Sequence, residues 1–302
     1  MTSQSQTVSV PSQSSLPGAS KLLSGAFSFY KKNLGVIVGI SAVPFIFSII
    51  QIFASSILPS LLIVVLALAA FVLSFLSLLA LFSKVVDGGQ SVGSAYQKSL
   101  EMFFPFIWVS ILASLAIFGG FFLLVIPGII ISVLLSLPIY VLFAENRRGT
   151  SALVSSWYYV QGYWGSVFLR GLFLFIVIFL ISLVITALTA GPATFSALKS
   201  GMEPHVSEKS VANLVNLIFD NFFVFPISII YSYGIYQSLR GIKTSIPSES
   251  DQQKIKSNLT IFSIIGAVGI IIMIVFSGFF VVRFFKQMPS VWLKTPPQTS
   301  PY

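Results

Sequence analysis

The sequence contains no cysteine and a single histidine. The first absence excludes a disulfide framework, a thiolate metal site and a cysteine nucleophile. The second leaves one imidazole, His205, for any catalytic triad or metal cluster. Charge is almost as scarce. Seventeen Lys and Arg and eight Asp and Glu make up 8% of 302 residues, against about 25% in a soluble domain. So few charges cannot cover a water-facing surface, which excludes a soluble globular enzyme. Acids are the scarcer sign, and the formal net charge is +9. The cations sit at the ends of apolar runs rather than in one patch. That is the positive-inside pattern, not the footprint of a nucleic-acid binder.

What is present is apolar. Hydrophobic residues reach 56%, aromatics 15%, and the mean hydropathy is +0.96. A bilayer core of about 30 Å takes roughly 20 apolar residues in a helix. Residues 33–83 carry no charge and turn near Ser55, Ser56, Pro59 and Ser60, which predicts spans at 34–56 and 61–83. Residues 102–144 are also free of charge and are interrupted by Gly119-Gly120 and Pro127-Gly128. They divide into 103–125 and 127–144. Further spans are expected at 171–198, ending near Gly191-Pro192, at 221–239 with an approach from Val211, and at 257–282. Pro44, Pro138 and Pro226 fall inside spans, where each removes a backbone donor and kinks its helix.

Residues 1–20 hold seven Ser and three Gln, with no basic segment before the first span. They read as a disordered polar leader rather than a cleaved signal peptide. Residues 287–302 read as a Pro-rich tail. Seven spans put the termini on opposite sides. With the N-terminus in the cytoplasm, twelve Lys and Arg lie inside and five outside, the inside-rich arrangement.

Three stretches ahead of spans have one apolar face: residues 18–32, 91–104 and 150–164. In the third, Leu153, Trp157, Val160 and Trp164 share a helical face. These are expected to be short amphipathic helices at the membrane interface. Their small residues Ala26, Ala95 and Ala152 recur 69 and 57 positions apart. Residues 21–243 therefore read as a loose threefold repeat of a hook and two spans, with 244–286 adding a linker and a seventh span.

Residues 123–168 carry an Ile126-Pro127-Gly128 turn, then a span ending in Glu145 before Arg147-Arg148-Gly149. Ala152, a Ser156-Trp157 pair and a Gly162-Tyr163-Trp164 group follow. With Ala95, Lys98 and Phe103-Phe104-Pro105 upstream, and Tyr231 to Arg240 at the sixth span, the chain resembles the membrane domain of glycerophosphoryl diester phosphodiesterases and related multi-pass bacterial membrane proteins. The similarity covers about residues 20–243. In that family the hydrolysis belongs to a separate soluble barrel with metal-binding carboxylates and histidines. No such barrel is expected here, so the resemblance implies a membrane domain without the activity.

Few residues suggest chemistry. His205 lies in a polar loop with Glu203 and Glu208, and no Gly-x-Ser-x-Gly turn accompanies it. Glu145 beside Arg147 and Arg148 reads as a charge pair fixing a helix exit, with the two arginines as candidate headgroup contacts. Asp220, among Asn213, Asn216 and Asn221, and Gln51 in the first span are the candidate polar membrane sites. Gly35 and Gly39 form a small-x-x-x-small pair suited to close helix contact.

The expected fold is all-α, a polytopic transmembrane bundle of about seven spans with short interfacial helices. The expected function is that of a non-catalytic scaffold or accessory subunit of the bacterial inner membrane. The alternative is a transporter or permease for a lipid or small solute. No enzyme activity, cofactor, metal or nucleic acid is expected. The partners are the lipid bilayer and other membrane proteins.

Overall fold

The computed structural model describes residues 15–54, 58–89, 91–200, 214–243 and 247–287. These residues are helical throughout apart from short connections. The helices are α1 (Ala19–Lys32), α2 (Leu34–Ala54), α3 (Ser60–Asp87), α4 (Val92–Leu123), α5 (Val125–Leu134), α6 (Pro138–Glu145), α7 (Thr150–Val160) and α8 (Trp164–Ser200). They continue with α9 (Leu214–Ile242) and α10 (Glu249–Gln287). Seven spans follow among these residues, with α5 and α6 together making the fourth. The chain is a multi-pass membrane protein.

α1 buries Leu22, Ala26 and Tyr30, one residue per turn, and leaves Lys21, Lys31 and Lys32 exposed. The second hook is not a separate helix. It is the first part of α4, where Ala95, Ser99 and Met102 point inward. The third, α7, is buried on nearly every face, including Ser155 and Ser156 as well as Leu153 and Trp157. Trp164 lies outside this buried helix, at the exposed start of α8.

Boundaries also differ from the sequence reading. α1 begins inside the expected leader, and Leu16 is buried with its carbonyl held by Arg170 Nη2 at 2.9 Å. α4 passes through Gly119-Gly120 and stops only at Leu123. α8 continues past Gly191-Pro192 to Ser200. Pro138 does not kink a continuous helix. The fourth span is broken at Leu135–Leu137, and Pro138 opens α6, a position where its missing N–H costs nothing.

The prolines explain much of the packing. A proline inside a helix frees the carbonyl four residues earlier, and in a membrane a neighbouring side chain must satisfy it. Pro44 frees Ile40 O, which accepts from Ser77 Oγ at 3.0 Å and Tyr96 OH at 2.9 Å. Pro138 leaves Leu134 O, which accepts from Ser156 Oγ at 2.8 Å, and Ser156 Oγ in turn accepts from Leu137 N–H at 3.2 Å. Pro226 leaves Phe222 O, which accepts from Tyr30 OH at 2.8 Å. Just before Pro226, residues Asp220–Val224 widen into a π turn in which Phe225 N–H reaches back to Asp220 O. Each carbonyl is thus capped from α1, α3, α4 or α7.

α4 is the central helix, touching α2, α3, α5, α6, α7 and α10. Its seam with α10 is closed by glycine. A Cβ on Gly119 would lie 1.9 Å from Phe262 O, and one on Gly266 would lie 2.1 Å from Leu115 O. The close pair is therefore Gly119 with Gly266. At Gly35 nothing lies within 4 Å, and at Gly39 only a Val92 methyl approaches.

Candidate functional site

Glu145 is the last residue of α6. The chain leaves it through Asn146 at φ 52° and re-enters a helix at Gly149, φ 58°. Asparagine and glycine tolerate this left-handed backbone, and the sharp turn folds α7 back beside α6. The Glu145 side chain is 8% exposed, so its charge must be met from within. Oε1 accepts from Tyr159 OH at 2.8 Å and Tyr236 OH at 2.7 Å. Oε2 lies 3.0 Å from Arg147 Nε, and Arg240 Nε stands 3.8 Å from Oε1. Arg147 also donates to Ser155 Oγ at 3.0 Å. One carboxylate thereby joins α6, α7 and α9.

Aromatic rings pack around it. Tyr236 stacks near Tyr140 and Tyr233, and Tyr159 meets its edge at 6.1 Å. Tyr140 OH donates to Ile229 O and Tyr233 OH to Val86 O. The Tyr159 hydroxyl is pushed up to about 12, by burial first and then by the hydrogen bond and charge of Glu145. It therefore stays a donor at ordinary pH. Lys243 lies 4.6 Å over the Tyr158 ring and donates to the Tyr158 and Gln161 carbonyls. Burial lowers its pKa. The arrangement is saturated: the carboxylate has its donors and the hydroxyls have their acceptors. It can fix three helices, but it presents no free base or nucleophile to a substrate.

Other polar contacts gather at the same end of the bundle. Lys98 pairs with Asp87 at 2.6 Å across the α3–α4 turn. Arg170 donates to Leu16 O and Pro17 O, and Tyr231 OH donates to Arg170 O. These contacts draw together the segments that the charge pattern assigns to one side of the membrane.

Of the residues singled out by sequence, Arg147 is turned inward onto Glu145, while Arg148 is exposed on the turn. Asp220 is exposed at the start of the π turn, and Gln51 is half-buried late in α2. His205, Glu203 and Glu208 lie outside the described residues. Among the described residues, no three His, Asp or Glu side chains are grouped to hold a metal ion. Sequence reasoning missed Tyr159, Tyr236 and Arg240. Tyr159 and Tyr236 lie 14 and 91 residues from Glu145, and only the tyrosine richness of 231–236 hinted at Tyr236.

Two cavities lie beside the backbone irregularities. One, of about 260 Å³, lies between α2, α3 and α9, where Pro44 and the π turn face each other. Ser41, Ser74, Ser77 and Asn221 supply its polar lining. Neither Gln51 nor Asp220 lines it; Asn221, one position on from Asp220, does. The other, of about 350 Å³, lies beside the break at Leu135–Leu137, lined by Ser132, Ser136 and Ser232 among apolar neighbours. Neither is lined by an ionisable side chain. No family model, curated protein or solved structure matches this chain.

Proposed function

We propose that this chain is a non-catalytic integral protein of the bacterial inner membrane, a scaffold or accessory subunit with its N-terminus in the cytoplasm. The observation that carries this reading is the saturated Glu145 network. The most buried carboxylate among the described residues is spent on holding α6, α7 and α9 together. The resemblance of residues 123–168 to a phosphodiesterase membrane domain supports it, since that segment forms the broken span and α7. The outer face of α8 supplies a lateral surface for other membrane proteins: Leu169, Phe175, Phe179, Leu183 and Leu188 are all exposed.

The cysteine-free chain makes the test direct. Single-cysteine variants Phe179→Cys on α8 and Ala116→Cys in the core are treated in whole membranes with a membrane-permeant crosslinker. One defined membrane protein crosslinked through position 179 and not 116 is expected. In parallel, the purified protein in phospholipid vesicles is assayed for proton leak and for translocation of a fluorescent phospholipid. Neither is expected; accelerated translocation replaces the scaffold with a lipid transporter. That second reading is favoured by one observation, the broken fourth span, since discontinuous helices line binding sites in many transporters. The side of the N-terminus is tested with Ser94→Cys and Leu58→Cys and an impermeant maleimide on intact cells. Labelling at position 58 alone is expected.

A further inference from the structure

The cavity between α2, α3 and α9 has a polar inventory that specifies a ligand. Ser74 Oγ donates to Ala70 O at 2.8 Å, Ser77 Oγ to Ile40 O at 3.0 Å, and Asn221 Nδ2 to Leu217 O at 3.0 Å. Both serine protons are spent on backbone carbonyls, while their oxygens and the Asn221 carbonyl keep acceptor capacity. Ser41 is the exception. It is 2% exposed, lines the same cavity, and its hydroxyl has no hydrogen-bond partner. A buried hydroxyl left unmade costs about 1–3 kcal/mol, whereas Ser77, Tyr96, Ser156 and Tyr30 all spend theirs on backbone carbonyls.

A single water does not account for this space. About 260 Å³ far exceeds the one-probe volume that holds a water, and most of the wall is Phe71, Phe75, Leu78, Leu81 and Phe225. An ion is equally unsuited, because no charged side chain lines the cavity. Phe71 is 69% exposed and forms part of the wall, so the opening faces lipid rather than water. Ser41 lies seven residues into α2, about 10 Å along the helix, well within the hydrocarbon depth.

We infer that this cavity binds an uncharged amphiphile, an apolar chain bearing one hydroxyl, admitted sideways from the bilayer past Phe71. The ligand hydroxyl accepts from Ser41 and donates to the Ser74, Ser77 or Asn221 oxygen, while its chain lies along the aromatic wall. A carboxylate lacks the proton those acceptors require, and a hydrocarbon lacks both partners. The site stands independently of the scaffold reading, because either a scaffold or a transporter can hold such a lipid.

The probe is hexadecanol carrying a diazirine, photolysed with the full-length protein in phosphatidylcholine vesicles. Label is expected on the peptides containing Ser41–Phe45 and Phe71–Leu78. Excess hexadecanol should compete for it, and hexadecanoate and hexadecane should not. Ser41→Ala should weaken the competed labelling about fivefold to tenfold, the worth of one hydrogen bond, and Ser74→Leu should abolish it by filling the cavity. A thermal melt of each variant checks folding. With no alcohol present, Ser41→Ala should melt no lower than the parent, since the hydroxyl it removes has no partner. Equal competition by hexadecane, labelling that survives Ser74→Leu in a folded protein, or a lowered melting temperature for Ser41→Ala would each overturn the proposal.

Discussion

The two ends of this bundle are held by different forces. At the end carrying α1, α7 and the charged turns, helices are joined by hydroxyls on proline-freed carbonyls and by the Glu145 network. Buried residues concentrate there: Leu79–Leu81 and Val85 in α3, Val141–Phe143 in α6, most of α7, and Ile229–Tyr231 and Ile235–Tyr236 in α9. Towards the other end more of the side chains face outward. Leu61–Leu62 and Val64–Val65 of α3 are exposed, as are Ile270–Phe276 of α10. The contrast is sharpest between two spans of similar composition. In Val125–Glu145, 56% of the most apolar window is buried; in Trp164–Thr189, 6% is. Lipid chains are as apolar as leucine, so apolarity alone draws no helix to another in a membrane. Packing follows hydrogen bonds, small residues and short inserted helices instead.

Substitutions can break this contrast, and the largest effect is expected at Glu145. Glu145→Ala strips the partner from two tyrosine hydroxyls, at about 1–3 kcal/mol each, and from Arg147 and Arg240, whose side chains are 32% and 54% exposed and stay hydrated. The melting temperature in detergent should fall steeply, and protease should reach α7. Glu145→Gln, which keeps the shape, should cost less.

Gly119→Ala comes next. Its methyl meets the Phe262 carbonyl at 1.9 Å, so α10 must move away from α4. Overpacking of this kind costs about 1–3 kcal/mol. A disulfide engineered across the α4–α10 seam should form in the parent background and fail in this variant. Gly35→Ala, with open space around it, is the matched control and should be silent.

Ser156→Ala leaves the Leu134 carbonyl and the Leu137 N–H unpaired at the break, at about 1–3 kcal/mol. Faster hydrogen exchange confined to residues 134–138 would identify that cause. Tyr30→Phe should cost about 1 kcal/mol, within the range of interhelical hydrogen bonds in membranes. On the outer face of α8, Phe179→Ala and Leu188→Ala should leave the melting temperature unchanged, since both side chains are exposed. A large effect there would mean that this face of α8 is packed after all.

Alkaline pH sharpens the same contrast. Tyr159 has its pKa raised to about 12 from an ordinary 10. A raised tyrosine stabilises the fold below its unfolded value and loses that contribution as pH climbs through the folded one. Melting curves should show a loss between about pH 10 and 12 that Tyr159→Phe makes shallower.

How much was legible depended on the range of the interaction. Span positions followed from runs of about 20 apolar residues, because the bilayer reads hydropathy locally. α1 was legible for the same reason: Leu22, Ala26 and Tyr30 repeat at helical spacing. The pair Gly35 and Gly39 was as plausible by pattern as Gly119 and Gly266, which lie 147 residues apart. Only the approach of α4 to α10 distinguishes them. Likewise Pro44, Pro138 and Pro226 were visible as missing donors, but their caps come from Tyr96, Ser77, Ser156 and Tyr30 on other elements.

Hydropathy and charge placement along the chain determined by themselves a helical, multi-pass membrane protein with seven spans among the described residues, because those properties act within one helix length. Which carbonyl meets which hydroxyl, that Glu145 is saturated, and that Ser41 faces a cavity unsatisfied were decided only by tertiary structure. Inside a membrane those polar contacts, unlike burial from water, depend on one helix meeting another.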